Sequence, residues 1–144
     1  MRDEELATLF EMFWILNKRW AQEWNTSCEH GYSVTQALAL EMLEAEGRLM
    51  ASHLAISLSL STGGITGIID KLVKDQLVQR TGNKGDRRIV YLEITERGRE
   101  LLKVLRNQRI ELMKKFLAPL SKMEMQELLK CNNKLYKHTR VSNH

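Results

Sequence analysis

The order of short segments between residues 51 and 94 restricts the fold more than any other feature of the sequence. Residues 51–58 and 62–75 carry apolar side chains at helical spacing, and a short Ser-Leu-Ser turn separates them. Two short helices joined by a tight polar turn are typical of a helix-turn-helix. We therefore predict a helix-turn-helix, with Ser61 as the N-cap of its second helix.

A β-hairpin is predicted directly after that second helix. Residues 77–81 and 89–94 are rich in residues that favour strands, and the turn-forming sequence GNKGD occupies residues 82–86 between them. A hairpin in this position is the wing of a winged helix. The segment as a whole is therefore expected to be a winged helix-turn-helix with a basic, glycine-containing hairpin tip.

Longer amphipathic helices are predicted on both sides of the winged helix. They cover residues 4–24, 33–45, 95–117 and 121–136, and their candidate N-caps are Asp3, Ser33 or Thr35, Thr95 and Ser121. The first of these helices has an aromatic-rich apolar stripe that is wider than a short surface helix needs. The predicted fold is one mainly α domain over residues 1–144, with six helices and a small β-hairpin wing.

Positive charge is concentrated in one part of the chain. The formal net charge is +4, but residues 71–109 hold eleven basic and five acidic residues, a local net charge of +6. Localised positive charge is what phosphate binding requires, so a polyanionic partner is indicated. The alternative is a solvated helix face.

Composition and the N-terminal sequence bear on the compartment. The sequence has no apolar run near the roughly 20 residues that span a bilayer, and its first residues are acidic, unlike a signal peptide. We therefore expect a cytoplasmic protein without a membrane partner. Its two cysteines, Cys28 and Cys131, are expected to be free thiols, with Cys131 serving only packing.

One motif covers the second half of the hairpin and the start of the next helix. Residues 86–98 read DRRIVYLEITERG, which resembles the wing signature of the MarR family: Asp-x-Arg, five residues, Leu-Thr, two residues and Gly, with Ile94 in place of leucine. Residues 60–72, LSTGGITGIIDKL, look like the family's recognition helix. Gln76 departs from the glycine that is common before the first wing strand, so it must accept a strained backbone or close the helix differently.

The resemblance implies a function and an organisation of the chain. It implies a DNA-binding lobe at residues 34–98, and dimerisation through helices in residues 1–30 and 99–144. It also implies a homodimeric, sequence-specific transcriptional regulator, most simply a repressor, that binds a pseudo-palindromic operator in double-stranded DNA. No cofactor and no enzymatic activity are implied.

The predicted DNA contacts lie on the second helix of the helix-turn-helix and on the wing. On the helix, small and hydroxylated side chains leave a slim polar face for the major groove, with threonines as the best base readers and lysine at the DNA backbone. The alternative is that the small residues pack between helices, with Gly67 as the foremost packing candidate. The predicted helix contacts are Ser61, Thr62, Gly63, Thr66 and Lys71.

On the wing, Arg88 is the strongest candidate, because an arginine on a thin hairpin can enter a minor groove. The resemblance gives Asp86 the role of holding that arginine by a charge-assisted hydrogen bond. Arg87, expected on the other side of the strand, and Lys84 are predicted to reach phosphates. The alternative is a solvent-exposed charged turn.

Family members often release DNA when they bind a small aromatic ligand or when a cysteine is oxidised. A candidate effector crevice is formed by Trp14, Trp20, Trp24, Tyr32 and Met42, although tryptophans at helical spacing are more often core residues. Cys28 is a candidate redox sensor if His30 lowers its pKa, and an inert thiol otherwise. No metal site is predicted, because no ligand spacing typical of metals is found.

Two other classes of function compete with a regulator. A winged-helix adaptor that binds proteins and has lost DNA binding is the alternative, against which the clustered charge and the intact wing signature argue. An enzyme is not expected, because the sequence lacks a phosphate-binding glycine loop, a paired His-Glu metal motif and a nucleophile elbow.

Overall fold

The computed structural model describes residues 1–27 and 29–141 of the chain. Within them it contains six helices and one two-stranded antiparallel sheet, which confirms the predicted mainly α fold with a small hairpin. The chain forms two compact units, residues 1–109 and residues 110–144. In chain order the elements are α1 (Asp3–Ser27), α2 (Val34–Glu46), α3 (Ala51–Ser57), α4 (Thr62–Lys74), β1 (Val78–Gly82), β2 (Val90–Ile94), α5 (Glu96–Phe116) and α6 (Lys122–Val141).

Serine caps begin α2 and α4 as the sequence predicts. Gln36 N donates to Ser33 Oγ over 3.2 Å, and Ser33 N donates to Gln36 Oε1 over 2.8 Å. This reciprocal capping box decides between Ser33 and Thr35 as the N-cap of α2. Ser61 Oγ accepts from Gly64 N over 3.1 Å and starts α4.

Two helix boundaries differ from the sequence-based expectation. Asp3 is the first residue of α1 rather than its N-cap, where its negative charge still favours the N-terminal end of the helix dipole. Helix α6 runs to Val141, beyond the expected end near residue 136. The last residues before Val141 include no glycine or proline, so the sequence carries no strong signal that would stop the helix earlier.

The hydrophobic core of the first unit lies between α2, α3, α4, α5 and the sheet. Its side chains have the helical spacing that the sequence shows, and burying each of them contributes roughly 1.5–3 kcal/mol relative to leaving it in water. The largest fully buried side chains are Leu40, Leu43, Leu54, Ile65, Leu72, Leu102 and Leu105.

The base of the hairpin is held by a short stretch of chain before α3. Leu49 pairs with Leu92 of β2 through two backbone hydrogen bonds of 3.1 and 2.7 Å, which adds an isolated bridge to the sheet. Beside it, the Arg48 guanidinium lies 4.6 Å from the centre of the Tyr91 ring and donates to Gly82 O over 3.2 Å. The hairpin is therefore attached on both of its strands.

The ends of the hairpin meet at a tight corner. Gln76 has a φ of +61°, so it accepts the left-handed conformation for which the family commonly uses glycine. Thr95 Oγ1 donates to Gln76 O over 2.7 Å and accepts from Gly98 N over 3.0 Å. A Cβ on Gly98 would overlap the carbonyl oxygen of Leu77 and lie 2.7 Å from Cγ1 of Ile94. Only glycine lets the first turn of α5 come this close to β1.

An ion-pair network connects α2 to α5 in the first unit. Arg106 donates to Glu41 Oε2 over 2.7 Å and to Glu44 Oε1 over 3.0 Å, and Arg109 donates to Glu41 Oε1 over 2.8 Å. The hydrogen bond from Arg106, followed by that from Arg109, lowers the pKa of Glu41 against the opposing effect of its partial burial. The charged form of Glu41 is therefore favoured by the fold.

Helix α1 leaves most of its apolar face uncovered in the single chain. Near its C-terminal end Trp24 is buried, but the preceding turns expose a contiguous set of large apolar side chains. Such a surface is larger than the scattered apolar residues of an ordinary monomer surface. The exposed residues are Leu6, Leu9, Phe10, Met12, Phe13, Trp14, Ile15 and Leu16.

The second unit consists of the end of α5 and the whole of α6. Ser121 and Glu124 form the predicted capping box, with bonds of 2.7 Å from Ser121 N and 3.2 Å from Glu124 N. Like α1, α6 exposes apolar side chains: Met123, Met125, Leu128, Leu129, Leu135 and Tyr136. Among the described residues no single helix is long and apolar enough to cross a bilayer; only the bent pair of α3 and α4, taken together, reaches that length and composition.

We expect Gly98→Ala to destabilise the protein by about 1–3 kcal/mol, because the new methyl group meets the Leu77 backbone, which cannot move aside easily. Gly67→Ala on α4 is the matched control. A Cβ there meets nothing within 4 Å, so the substitution should raise stability by about 0.5–1 kcal/mol. Urea denaturation of both variants measures the difference. Equal stabilities of the two variants would contradict the packing at the corner.

The Glu41 network predicts a loss of stability in acid. Because the pKa of Glu41 in the folded protein is below its ordinary value of 4.5, its stabilisation is complete above pH 4.5 and is lost as the pH falls toward the folded-state pKa. Between pH about 7 and about 3.5, the urea midpoint of Glu41→Gln should fall less than that of wild type. The control is Glu5→Gln, which removes an exposed pair with Arg2 and should keep the wild-type acid dependence.

Candidate nucleic-acid interface

The candidate site is built on α3, α4 and the wing. Helices α3 and α4 are bent by 115° relative to each other, within the range of a helix-turn-helix. The turn closes with Ser59 at a φ of +54° and with a hydrogen bond from Leu60 N to Ala55 O of 2.8 Å. Ile65 and Ile69 are buried on the inner side of α4. The opposite side of α4 is therefore left for solvent or a partner.

The exposed side of α4 is slim in its first turns. Ser61, Thr62, Gly63 and Thr66 are all exposed, as the predicted interface requires. A Cβ added at Gly63 or at Gly67 would meet nothing within 4 Å. The packing interpretation of Gly67 was therefore wrong: neither glycine is needed to fit α4 against the rest of the protein.

At the wing tip, the carboxylate of Asp86 binds both the backbone N–H and the side chain of Arg88. Asp86 Oδ1 accepts from Arg88 N over 2.9 Å and from Arg88 Nε over 3.1 Å, and Asp86 Oδ2 accepts from Arg88 Nη2 over 3.1 Å. The Arg88 side chain is nevertheless 90% exposed. The hydrogen bonds from Arg88 lower the pKa of Asp86, so its carboxylate stays charged. This pair fixes the position of a cation at the end of the hairpin.

The rest of the tip is a compact turn. Ile89 N donates to Asp86 O over 3.2 Å, and Gly85 N donates to Asn83 Oδ1 over 2.7 Å. Arg87 is exposed within this turn, outside the two strands, so the expectation that it lies on the other side of a strand was wrong. Lys84 is exposed on the same tip.

Lys71, a predicted DNA contact, is engaged within the protein. Its Nζ donates to Gly31 O over 3.1 Å and lies 5.0 Å from the centre of the Tyr32 ring. The Tyr32 hydroxyl donates to Asp75 Oδ2 over 2.8 Å, and Trp24 Nε1 donates to Tyr32 O over 2.9 Å. Tyr32 therefore connects the end of α1 to the end of α4, and the DNA contact of Lys71 remains a prediction.

Burial is the main cause of a shifted pKa at this connection. Together with the hydrogen bond and the charge of Asp75, it raises the pKa of Tyr32 to about 12, although Arg97 opposes the shift. The hydroxyl of Tyr32 therefore stays protonated and available as a donor throughout the physiological pH range.

The sequence analysis missed the pairing of an acid and an arginine beside the exposed face of α4. Asp70 lies on that face, and Arg80 of β1 donates to its Oδ1 over 2.6 Å. A carboxylate would repel phosphate, and the guanidinium compensates its charge. The spacing of the two residues corresponds to no known motif, and only the return of β1 past α4 brings them together.

Comparison with known proteins shows which family the chain resembles. A family model described as the MarR family matches residues 32–90, which include α4 and the wing tip. The HTH-type transcriptional regulator MhqR of Bacillus subtilis is 34% identical over 74 residues, 51% of this chain and 51% of that protein. The family model covers 59 of the 144 residues, so within residues 32–90 the chain is similar to the MarR family.

Three of the curated matches cover only half of the chain, whereas the structural matches are nearly complete. The chain spans about half the length of MhqR and of two further curated relatives from the same bacterium. A MarR family protein from Bacillus stearothermophilus superposes with a TM-score of 0.77 at 22% identity, over 97% of this chain and 99% of that chain. A cysteine-to-serine mutant of MarR from E. coli, complexed with operator DNA, superposes with a TM-score of 0.71 at 20% identity, over 91% and 95%. At these identities the structures establish the MarR fold.

The structure gives physical reasons for the wing signature of the family. Its aspartate and arginine are Asp86 and Arg88, which bond to each other at the tip. Its threonine is Thr95, which caps α5, and its glycine is Gly98, which permits the close approach to β1. The signature therefore includes residues at the tip of the hairpin and residues at its base, where β2 leads into α5.

The five predicted effector residues differ widely in how far they are buried. Trp24 is buried and contacts the chain at Tyr32, whereas Trp14 is 64% exposed on the apolar face of α1. Trp20 and Met42 are half-buried. The structure thus brings Trp24 and Tyr32 together, and a shared crevice for all five residues remains a prediction.

Of the two cysteines, only Cys131 lies in the part of the chain that the structure describes. Cys28 lies outside the described residues. Cys131, which was expected to pack inside the protein, is exposed on α6 in this single chain. Residues 1–27 and 29–141 hold no cluster of three or more His, Cys, Asp or Glu side chains suited to a metal ion.

We expect Tyr32→Phe to destabilise the protein by about 1.5 kcal/mol, the lower end for a hydrogen bond to a charged group. Because the pKa of Tyr32 is raised from 10.0 to about 12, the stabilisation is present below pH 10 and is lost as the pH rises through 12. An absorbance titration should therefore lose the tyrosinate transition near pH 12 in Tyr32→Phe.

The control is Tyr91→Phe, which keeps the ring beneath Arg48 and should retain the transition near pH 12. A transition that persists unchanged in Tyr32→Phe would show that another tyrosine produces it.

Proposed function

We propose that this protein is a transcriptional regulator that binds double-stranded DNA through α4 and the wing. The observation that carries the proposal is the hydrogen-bonded pair of Asp86 and Arg88, which fixes a 90% exposed arginine at the tip of a thin hairpin. The backbone bond from Arg88 N is of the kind found in ordinary turns, but the two side-chain bonds also orient the guanidinium. The operator complex of E. coli MarR supports the same use of the fold.

Helix α4 is the element suited to the major groove. A helix fits that groove when its outer face is narrow and polar, and the face formed by Ser61, Thr62, Gly63 and Thr66 has both properties. Ser61 and Thr62 are also close to the backbone N–H groups that start the helix, which favour an anion such as a DNA phosphate.

The wing is suited to the neighbouring minor groove. The Arg88 guanidinium is attracted by the enhanced negative potential of a narrow A·T-rich minor groove. Lys84 and Arg87 are exposed on the same tip and reach phosphates on either side in this arrangement. Asp86 does not contact DNA and acts as a positioning residue for Arg88.

The regulator acts as a homodimer in this proposal. The apolar face of α1 is exposed in the single chain, and a second copy of the chain is the partner that covers it in the MarR arrangement. Two recognition helices then lie about 34–36 Å apart, one turn of DNA, so the operator is pseudo-palindromic.

Repression is the proposed effect on transcription, with release by a small aromatic ligand or by oxidation of Cys28. The connection from Trp24 through Tyr32 to Lys71 and Asp75 supports a role for a ligand, because it joins the end of α1 to the end of α4. A ligand that displaces Tyr32 would change the support of the recognition helix.

The experiment begins with selection of duplexes from a random pool by the full chain. A sequence-specific regulator enriches a pseudo-palindrome, whereas an adaptor that has lost DNA binding enriches no sequence. On the selected operator, Arg88→Ala should weaken binding by about tenfold or more. Wild-type affinity should also fall with salt, with a log–log slope of roughly −0.9 for each phosphate contacted.

The matched control is Arg2→Ala, which also removes an exposed arginine paired with an acid, Glu5. It should bind the operator as wild type does. Both variants should keep the wild-type unfolding midpoint and sediment with the mass of two chains. Wild-type affinity in Arg88→Ala, with the fold intact, would show that the wing is not part of the interface.

A further inference from the structure

The first turns of α4 lack the side chains that usually read bases by bidentate hydrogen bonding. Bidentate readout of guanine uses arginine or lysine, and that of adenine uses asparagine or glutamine. Residues 61–70, STGGITGIID, contain none of these four types. The hydrogen-bonding groups left on the first turns of α4 are mainly serine and threonine hydroxyls, which discriminate less between bases than a bidentate pair does.

Thr66 lies at the centre of this face, and its hydroxyl proton is already used. Thr66 Oγ1 donates to Thr62 O one turn earlier, over 2.8 Å. The exposed Thr66 side chain therefore offers a partner its methyl group and the lone pairs of its oxygen. A threonine methyl group can make an apolar contact with the C5-methyl group of thymine in the major groove.

Asp70 is the one acidic side chain on the same face. A carboxylate can accept a hydrogen bond from the amino group of cytosine, but Asp70 Oδ1 is bonded to Arg80 Nη2 over 2.6 Å. Its charge is compensated within the protein, which weakens it as a reader of cytosine.

Gly63 and Gly67 flank Thr66 and leave space for a base substituent. Gly67 lies in the helix interior, where glycine costs about 1 kcal/mol relative to alanine, and a Cβ at Gly63 or at Gly67 would meet nothing within 4 Å. Packing inside the protein does not explain these glycines. A bare helix surface that lets a thymine methyl group approach the backbone does.

On the basis of the proposed function, we propose that α4 reads its half of the operator through thymine C5-methyl groups, which contact the Thr66 methyl group and the bare backbone at Gly63 and Gly67. Hydrogen bonding to base edges is a minor part of readout by this helix. The specificity-determining residue is Thr66, and the group recognised is the methyl group that distinguishes thymine from uracil.

The test uses the selected operator with uracil in place of thymine, one position at a time. Uracil lacks only the methyl group and keeps the same hydrogen-bonding groups. At one or more positions in each half-site, wild-type affinity should fall about fourfold, the effect of removing one buried methyl-sized group. Fluorescence anisotropy at fixed salt measures these affinities.

Thr66→Ser provides the second arm, because serine keeps the hydroxyl bonded to Thr62 and removes the methyl group. It should lose about fourfold in affinity on the thymine operator. On the operator with uracil at the sensitive position it should lose nothing further, because one contact has been removed from both sides. Thr26→Ser is the matched control, since Thr26 Oγ1 donates to Gln22 O over 2.7 Å in the same way on α1. It should bind both duplexes as wild type does.

Three outcomes would overturn the inference. A chain that enriches no duplex overturns the proposed function and the inference with it. A chain that enriches an operator but tolerates uracil at every position overturns the inference alone. Equal losses for Thr66→Ser on the thymine and uracil duplexes would show that Thr66 acts on something other than the methyl group.

Discussion

The arrangement of the candidate interface depends on the corner where the two ends of the hairpin meet. Thr95 bonds to Gln76 on one side and to Gly98 on the other, and Gly98 lies against the Leu77 carbonyl without room for a side chain. Because β1 follows α4 directly and β2 leads directly into α5, this contact holds both ends of the hairpin in one place. The base of the wing is therefore held next to the end of α4 by a backbone approach that only glycine allows.

Some basic side chains of the chain bond within the protein, and others are exposed to solvent. The sequence concentrates basic residues between 71 and 109, but Arg106 and Arg109 bond to Glu41 of α2, and Lys71 bonds to Gly31. A charge count therefore overstates the surface available to phosphate. Arg88 is bonded to Asp86 at the wing tip and still has a side chain that is 90% exposed, so geometry adds to what net charge says about the candidate interface.

The inner face of helix α4 packs into the core, whereas its outer face contains residues of low helix propensity. Ile65, Ile69 and Leu72 are buried and hold the helix to the core, which compensates for the poor helix propensity of Gly63 and Gly67. Proteins commonly tolerate such a loss of stability where a functional surface requires it. Core packing explains the inner face of α4, and the proposed contact with DNA would account for the small residues of its outer face.

Sequence alone was sufficient for the order of elements and for the caps at Ser61, Thr95 and Ser121, and the resemblance to the MarR family implied the pairing of Asp86 with Arg88. These features depend on side chains only a few residues apart, whose geometry the local backbone sets. Only the tertiary structure decided whether a charged side chain bonds within the protein or stays available to a partner. Arg80 meets Asp70, and Lys71 meets Gly31, because separate elements pack side by side. Contacts between residues far apart in the chain depend on how the core packs. A short sequence motif carries no information about that packing.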